Sequence, residues 1–495
     1  MKKVVLLCTL ILLWGYGSYA ADDPLKRGMQ LYKKNHYEDA ADLIQSYLSK
    51  AASQQQDKTY LSLGMIYFAN AKLYRELYHT STRVQLDYLT KLLAADKKSE
   101  SRFVKLYLGR TLVEAGKLVE AAAFFKKFLM DEQVQPHYKI LANIDLGTVF
   151  FLQGKKDKAL NLWSKQNVSQ PLEITALAAA FSRAGQKEKN PMGMCQRALG
   201  QLKQAGKTPS IDSINNIIEV YTREGDIQRG IDLLKPADLK TYSQEENLVR
   251  NKVIRFYNPA LLKNLSMFYE KASLNYLKKA VAVADDKLKG LAQYYLSIDY
   301  GHFGNPDASL KIIDSFISST RLPAPFINRA KVAQAINNYL LGREAIAKEQ
   351  LDTLLQSKIE PYLVADILLA CTQHNIEFPQ AVISATSMAQ KGEDRRFYSV
   401  NFALGRYYLG QKDYSRATTY MEAGRDKSNK NRIEFNEPLM LINLAKTYYL
   451  TKKFSESLEI YFEMSKQFPA LRQIQVAMQG VYSMEQKSAG DVKIF

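Results

Sequence analysis

Leu108-Gly109-Arg110-Thr111-Leu112, followed by Ala115-Gly116-Lys117-Leu118, Ala121 and Phe125, is the stretch that decides how this chain folds. The arrangement returns at Leu146-Gly147-Thr148-Val149-Phe150, with Gly154-Lys155-Lys156, Ala159 and Trp163. It returns again at Leu404-Gly405-Arg406-Tyr407-Tyr408, with Lys412-Asp413-Tyr414, Ala417 and Met421. In each copy a small residue is followed by a large one three positions on, a second small one twelve on and a second large one sixteen on. Residues three and four apart share a helix face. The spacing therefore predicts a first helix, a turn at Gly116, Gly154 or Lys412, and a second helix opening near the later Ala. The small residues let the two helices approach, and the large ones fill the groove between them. One such hairpin cannot bury its apolar face alone and must stack on neighbours.

The pattern resembles the tetratricopeptide repeat, whose signature of about 34 residues runs Leu-Gly, Tyr, Ala, Phe and a terminal Pro. The fullest copy is Leu444-Ala445, Tyr448-Tyr449, Lys453-Phe454, Ser457, Tyr461 and Pro469. The first copy carries Gly28, Leu31, Tyr37, Ala40 and Ile44. Weaker copies centre on Leu63-Gly64-Met65-Ile66-Tyr67, Ala178 with Phe181 and Gly185, Tyr221 with Gly225, Tyr300 with Gly304, and Asn338 with Gly342. Roughly ten to twelve units cover the chain. The resemblance implies an all-α, right-handed solenoid of antiparallel helix hairpins. Gly64 departs from the pattern: Glu76 stands where the later Ala belongs, inside a long amphipathic run from Lys72 to Leu93. Residues 236–290 are the least regular, with Lys235-Pro236 and Asn258-Pro259 interrupting helices, because proline lacks the amide hydrogen; Leu261 to Ala284 is expected to be helical again, with Tyr269, Tyr276 and Leu277 on a broad apolar face. The expected organisation is a leader at 1–20, an N-terminal array at 21–235, an irregular connector at 236–290 and a C-terminal array at 291–495, giving two segments. Arg321-Leu322-Pro323-Ala324-Pro325 is a second, shorter break, and the polar residues from Gln486 read as a frayed end.

Lys2 and Lys3, the apolar run Val4 to Trp14, and Ser18-Tyr19-Ala20 before Ala21 read as a cleavable signal peptide. The run is short for a bilayer span. Export to a periplasm or the exterior is the expected location. The 495 residues are 46% hydrophobic and 24% charged, a globular composition. Formal net charge is +18, of which +16 remains once Lys2 and Lys3 leave. A basic surface favours acidic partners, among them acidic proteins, anionic polysaccharide and acidic lipid headgroups; export argues against nucleic acid. Cys195 and Cys371 allow one bridge or two buried thiols.

No phosphate-binding loop, dinucleotide fingerprint, His-Glu-x-x-His, Cys-x-x-Cys or Gly-x-Ser-x-Gly run occurs in the sequence. His36, His79, His137, His302 and His374 are scattered, whereas a metal needs ligands that converge. Acidic pairs such as Asp22-Asp23 and Glu393-Asp394 suit solvated helix ends. The sequence thus points to a scaffold rather than an enzyme, with no cofactor or metal and with protein as the expected partner. Tyr is frequent, at 31 residues, and Tyr294-Tyr295, Tyr407-Tyr408 and Tyr448-Tyr449 are adjacent pairs. Neighbours on a helix point about 100° apart, so one ring of each pair can serve the core and the other the groove. The resemblance implies a ligand groove lined by first helices. The positions one and four after the small residue give Arg110, Arg406, Lys446, Tyr32 and Tyr449 as candidate partner contacts. Lys139 and Asn143 have the spacing of a carboxylate clamp but fall out of register with Gly147. Two further expectations stand beside the scaffold: handling of an anionic polysaccharide, and peripheral membrane association.

Overall fold

The computed structural model describes residues 24–34, 36–48, 56–95, 101–234, 259–319, 322–356, 360–390, 398–428, 438–465 and 482. The signal peptide, both acidic pairs, Arg321, Pro469, the end from Gln486 and residues 236–258 of the connector lie outside them. The described residues form helices and the turns between them, with no strand among them.

The helices, in chain order, are α1 (Pro24–Lys33), α2 (Tyr37–Leu48), α3 (Gln56–Ala95), α4 (Ser101–Glu114), α5 (Leu118–Met130), α6 (Pro136–Leu152), α7 (Lys156–Ser164), α8 (Pro171–Arg183), α9 (Pro191–Gln204), α10 (Ile211–Glu224) and α11 (Ile227–Leu233). They continue as α12 (Pro259–Val283), α13 (Asp286–His302), α14 (Pro306–Ser319), α15 (Ala324–Leu340), α16 (Glu344–Gln356), α17 (Pro361–Gln373), α18 (Pro379–Gln390), α19 (Tyr398–Gly410), α20 (Tyr414–Ser428), α21 (Pro438–Leu450) and α22 (Phe454–Ser465). Nine of the described prolines open a helix. At the first helical position the missing amide hydrogen costs nothing and the fixed φ suits the turn. Pro259 is one of these: it starts a continuous 25-residue helix.

First helices pack on their own second helices and touch in series, as α4, α6, α8 and α10 do, and likewise α13, α15, α17, α19 and α21. That is the stacking of a helical-repeat solenoid. The small residue works as its spacing requires. A Cβ on Gly147 would lie 2.2 Å from the Trp163 indole nitrogen, and one on Gly109 would lie 2.7 Å from Phe125. Ile44 and Met421 close on Gly28 and Gly405 in the same way. Trp163 is fully buried, and its indole N–H donates to the Ile144 carbonyl at 2.9 Å. The turns end in left-handed backbone, at Gly116 (φ +73) and Gly154 (φ +79) but also at Lys412 (φ +61) and Lys452 (φ +62). Only glycine adopts that conformation without steric cost.

Contacts divide the chain into two compact units, Met1–Asn70 with Ala272–Ile460, and Ala71–Lys271 with Tyr461–Phe495. The units interleave along the sequence, which differs from the consecutive arrays expected. The cause is long-range pairing by α3 and α12. In the first unit, the Ser273 hydroxyl donates to the Gly64 carbonyl at 2.9 Å across 209 residues, and Leu277 fills the space beside Gly64. In the second unit, the Ser266 hydroxyl donates to the Ala71 carbonyl at 3.0 Å, and Tyr74 packs on Tyr269. The described part of the 236–290 stretch is thus regular helix that packs on α3 as well as on its sequence neighbours, with Lys271 donating to the Thr222 carbonyl at 2.6 Å and Phe268 closing on Gly230.

Candidate partner-binding face and polar cleft

The second unit carries a cleft lined by its first helices. Arg110 and Glu114 come from α4, Asp145 and Thr148 from α6, Arg183 from α8, and Asp212 and Asn215 from α10. It encloses about 70 Å³, room for a few waters and far short of the several hundred Å³ of a metabolite pocket. Its charges are paired with one another. Arg110 Nε donates to Asp145 at 2.7 Å and its Nη1 to Asp212 at 3.3 Å. The guanidinium lies 5.4 Å from the Tyr107 ring, whose hydroxyl donates to Asp212. Arg183 donates through Nε at 2.8 Å and Nη2 to the Glu219 carboxylate, and through Nη1 to Thr148 at 3.1 Å. Burial opposes the charge on Arg110 and Arg183, but the adjacent carboxylates outweigh it and hold both guanidinium groups above their ordinary range.

These pairs keep a fixed spacing. Arg110–Asp145 spans 35 residues, Arg183–Glu219 and His137–Glu173 each span 36, and Arg329–Asp366 in the first unit spans 37. Each joins one first helix to the next across one repeat. The first unit repeats the chemistry in miniature: Arg329 Nε donates to Asp366 at 2.6 Å and stacks 5.4 Å from the Tyr362 ring. The acids were missed in the sequence because motif searches look within a helix. Opposite charges one repeat apart were the available signal.

The structure distributes the five expected contacts unevenly. Arg110 lies in the second unit, while Tyr32, Arg406, Lys446 and Tyr449 lie in the first. Arg110 is only 15% exposed and is committed to Asp145 and Asp212. Its charge therefore holds repeats together, and reversing it would strain the fold before it touched a partner. Tyr449 is 7% exposed with its ring 5.5 Å from Phe454, and Tyr448 beside it is buried too. In that pair both rings serve the core. Tyr32 is half-buried and leans on Tyr37. Arg406 and Lys446 are half-buried, each one position past the small residue of its helix, on the touching first helices α19 and α21.

Cys195 and Cys371 are both unbonded and buried, and burial pushes each thiol up to about 12. Among the described residues no three His, Cys, Asp or Glu side chains gather as a metal site would require. Nor is any described helix long and apolar enough to cross a membrane.

No family model matches the sequence, and no curated protein matches it. Solved structures do resemble it. A tetratricopeptide repeat protein from Parabacteroides merdae shares 14% identity over 70% of this chain and 100% of its own, with a TM-score of 0.26. Yeast Tom70 shares 12% over 94% of this chain and 95% of its own, with a TM-score of 0.32. The quorum sensor NprR from B. thuringiensis shares 14% over 67% and 99%, with a TM-score of 0.26. The helical-repeat fold stands on this chain's own packing: small residues met by large ones, and first helices touching in series.

Proposed function

We propose that this protein is an exported, non-enzymatic scaffold that binds protein partners along its rows of first helices. One observation carries the reading. Arg406 and Lys446 occupy the same register on adjacent first helices and are half-buried. Stacking thus gives cationic positions of successive repeats the same register, which suits recognition of an acidic protein segment. The leader at residues 1–20 would deliver the protein to a periplasm or the exterior, and the +16 left of the full chain's +18 once Lys2 and Lys3 leave agrees with acidic partners. The test is co-purification from the native host with wild type and the Arg406→Glu/Lys446→Glu variant. The variant should keep its helicity by circular dichroism and lose acidic partners from the eluate. Equal recovery by both proteins would remove these residues from the binding face. N-terminal sequencing of the native protein should begin at Ala21.

A second reading, handling of an anionic polysaccharide, has one specific support in the first unit. Tyr408 and Tyr420 stack with planes 6° apart, and the Arg416 guanidinium lies 4.3 Å from the Tyr408 ring. Aromatic rings beside a cation suit a charged sugar. Salt-sensitive retention on an acidic polysaccharide, reduced by Tyr420→Ala, is the expected result; no retention rejects this reading.

A further inference from the structure

In the second unit the first-helix arginines Arg110 and Arg183 are paired with Asp145, Asp212 and Glu219. The lysines on the second helix α5, in the turn after α6 and at the first residue of α7 make no such pairs among the described residues. Lys126 lies 6.0 Å from the Phe150 ring, and Lys155 donates to Gln153 at 2.9 Å. Lys127 and Lys156 are exposed and make no ion pair among the described residues. Three acids near these lysines in sequence are tied elsewhere or placed by helix chemistry, and a fourth, Glu132, is exposed after the end of α5. Glu120 pairs with Lys117 and Asp131 with Lys105, while Asp157 sits in the first turn of α7, where the helix dipole favours an acid.

The same face carries apolar side chains turned to solvent. Helix α5 buries Ala121, Phe125 and Phe128, yet Val119 and Met130 are each 79% exposed. Eleven residues make about three turns, so Val119 and Met130 share one line of the helix, with Lys126 between them. Gln153 donates to the Leu118 carbonyl at 3.3 Å, which brings the turn after α6 against the start of α5. Leu152, 46% exposed, stands at that turn. A solvated helix face explains the lysines alone. It does not explain why apolar residues share their line.

We propose that α5 and the adjoining Gln153–Lys156 turn form a docking surface for a bilayer that carries anionic headgroups. The lysines would pair with headgroup phosphates, and Val119, Met130 and Leu152 would enter the boundary between headgroups and acyl chains. A soluble acidic polymer would reward the lysines and gain nothing from the apolar residues, which is why a membrane is the better fit. This face is separate from the first-helix rows, so its failure would leave the scaffold reading standing.

The test is co-sedimentation of the full chain with vesicles of phosphatidylcholine, alone or mixed with phosphatidylglycerol. Every protein shares the same N-terminus, so the neutral vesicles read any contribution of the leader. Wild type should partition at least about tenfold better onto the anionic vesicles. Lys126→Gln/Lys127→Gln should lower that partitioning about thirtyfold, and Val119→Ser/Met130→Ser about tenfold without a change of charge. Lys155→Gln/Lys156→Gln serves as an independent second pair, and circular dichroism checks that each variant folds. No preference for anionic vesicles overturns the proposal. So does wild-type partitioning by the Val119/Met130 variant, which would make the face a site for soluble polyanions. Dextran sulfate binding that ignores the apolar substitutions would identify that alternative.

Discussion

The hairpin of α6 and α7 and the pairing of α3 with α12 solve the same packing problem with partners at different distances in sequence. In the hairpin, Gly147 is met by Trp163 from the next helix. On α3, Gly64 is met by Leu277, and the Gly64 carbonyl is bonded by Ser273, 209 residues away. A glycine on a helix marks a close approach in both places. Only in the first does the local sequence say what approaches.

The largest expected effect comes from emptying the local pocket. Trp163→Ala should destabilise the protein by about 3–5 kcal/mol, measured by urea denaturation. Hydrogen exchange should then quicken in α6, α7 and the start of α8. Emptying the distant pocket with Leu277→Ala should cost about 2–5 kcal/mol and leave a different footprint. Protection should fall together in residues 56–70 and 272–283. Loss confined to residues 272–283 would contradict the long-range pairing.

Adding a methyl group sharpens the contrast. A Cβ on Gly147 meets a rigid indole at 2.2 Å, while one on Gly64 meets the Leu277 branch carbon and one of its methyls at 2.6 Å, with the Leu277 backbone nitrogen at 3.3 Å. Overpacking costs about 1–3 kcal/mol, against a gain of about 1 kcal/mol for replacing a helical glycine by alanine. Both substitutions should therefore lower the urea midpoint, Gly147→Ala by more than Gly64→Ala.

Two carboxylates extend the comparison to pH. Burial pushes the Glu219 carboxyl on α10 up, but Arg183 and Arg223 outweigh it and hold it below the ordinary 4.5. Its contribution is complete above about 4.5 and is lost as pH falls through the folded value. Glu270 on α12 has the opposite sign: burial raises it to about 7, and Arg75 and Lys271 only partly offset this. Its contribution is complete below about 4.5 and is lost as pH rises toward 7. Glu270→Gln should flatten the stability profile between those limits by on the order of 1 kcal/mol, discounted for solvent screening, and urea midpoints across pH will show it.

The smallest effect concerns the turns. Lys412→Gly and Lys452→Gly should each stabilise by up to about 1 kcal/mol, since lysine there sits in left-handed backbone. A lower thermal midpoint in either variant would mean that the lysine side chain outweighs the strain.

The same contrast explains what the sequence disclosed. The hairpins at Gly28, Gly109, Gly147 and Gly405 were legible because the filling residue stands sixteen positions on. The helix from Leu261 to Ala284 was legible too, but its docking on α3 was not, because Ser273 and Gly64 stand 209 residues apart. Arg110 was found by register, but its partners were not: Asp145 is 35 residues away and Asp212 is 102 away. Of the positions found by register, Arg406 and Lys446 are half-buried, whereas Tyr449 turns inward to Phe454. Helix spacing says which residues share a face. It does not say how deep the next repeat sits upon them.

Among the described residues each unit holds one buried thiol, Cys195 in the second and Cys371 in the first. A thiol held up to about 12 is inert at neutral pH until its surroundings open. The protein therefore carries a built-in chemical clock in each half. The rate at which each cysteine takes up an alkylating reagent under native conditions times the opening of its own unit, so the two halves can be followed separately without adding a label or changing a residue.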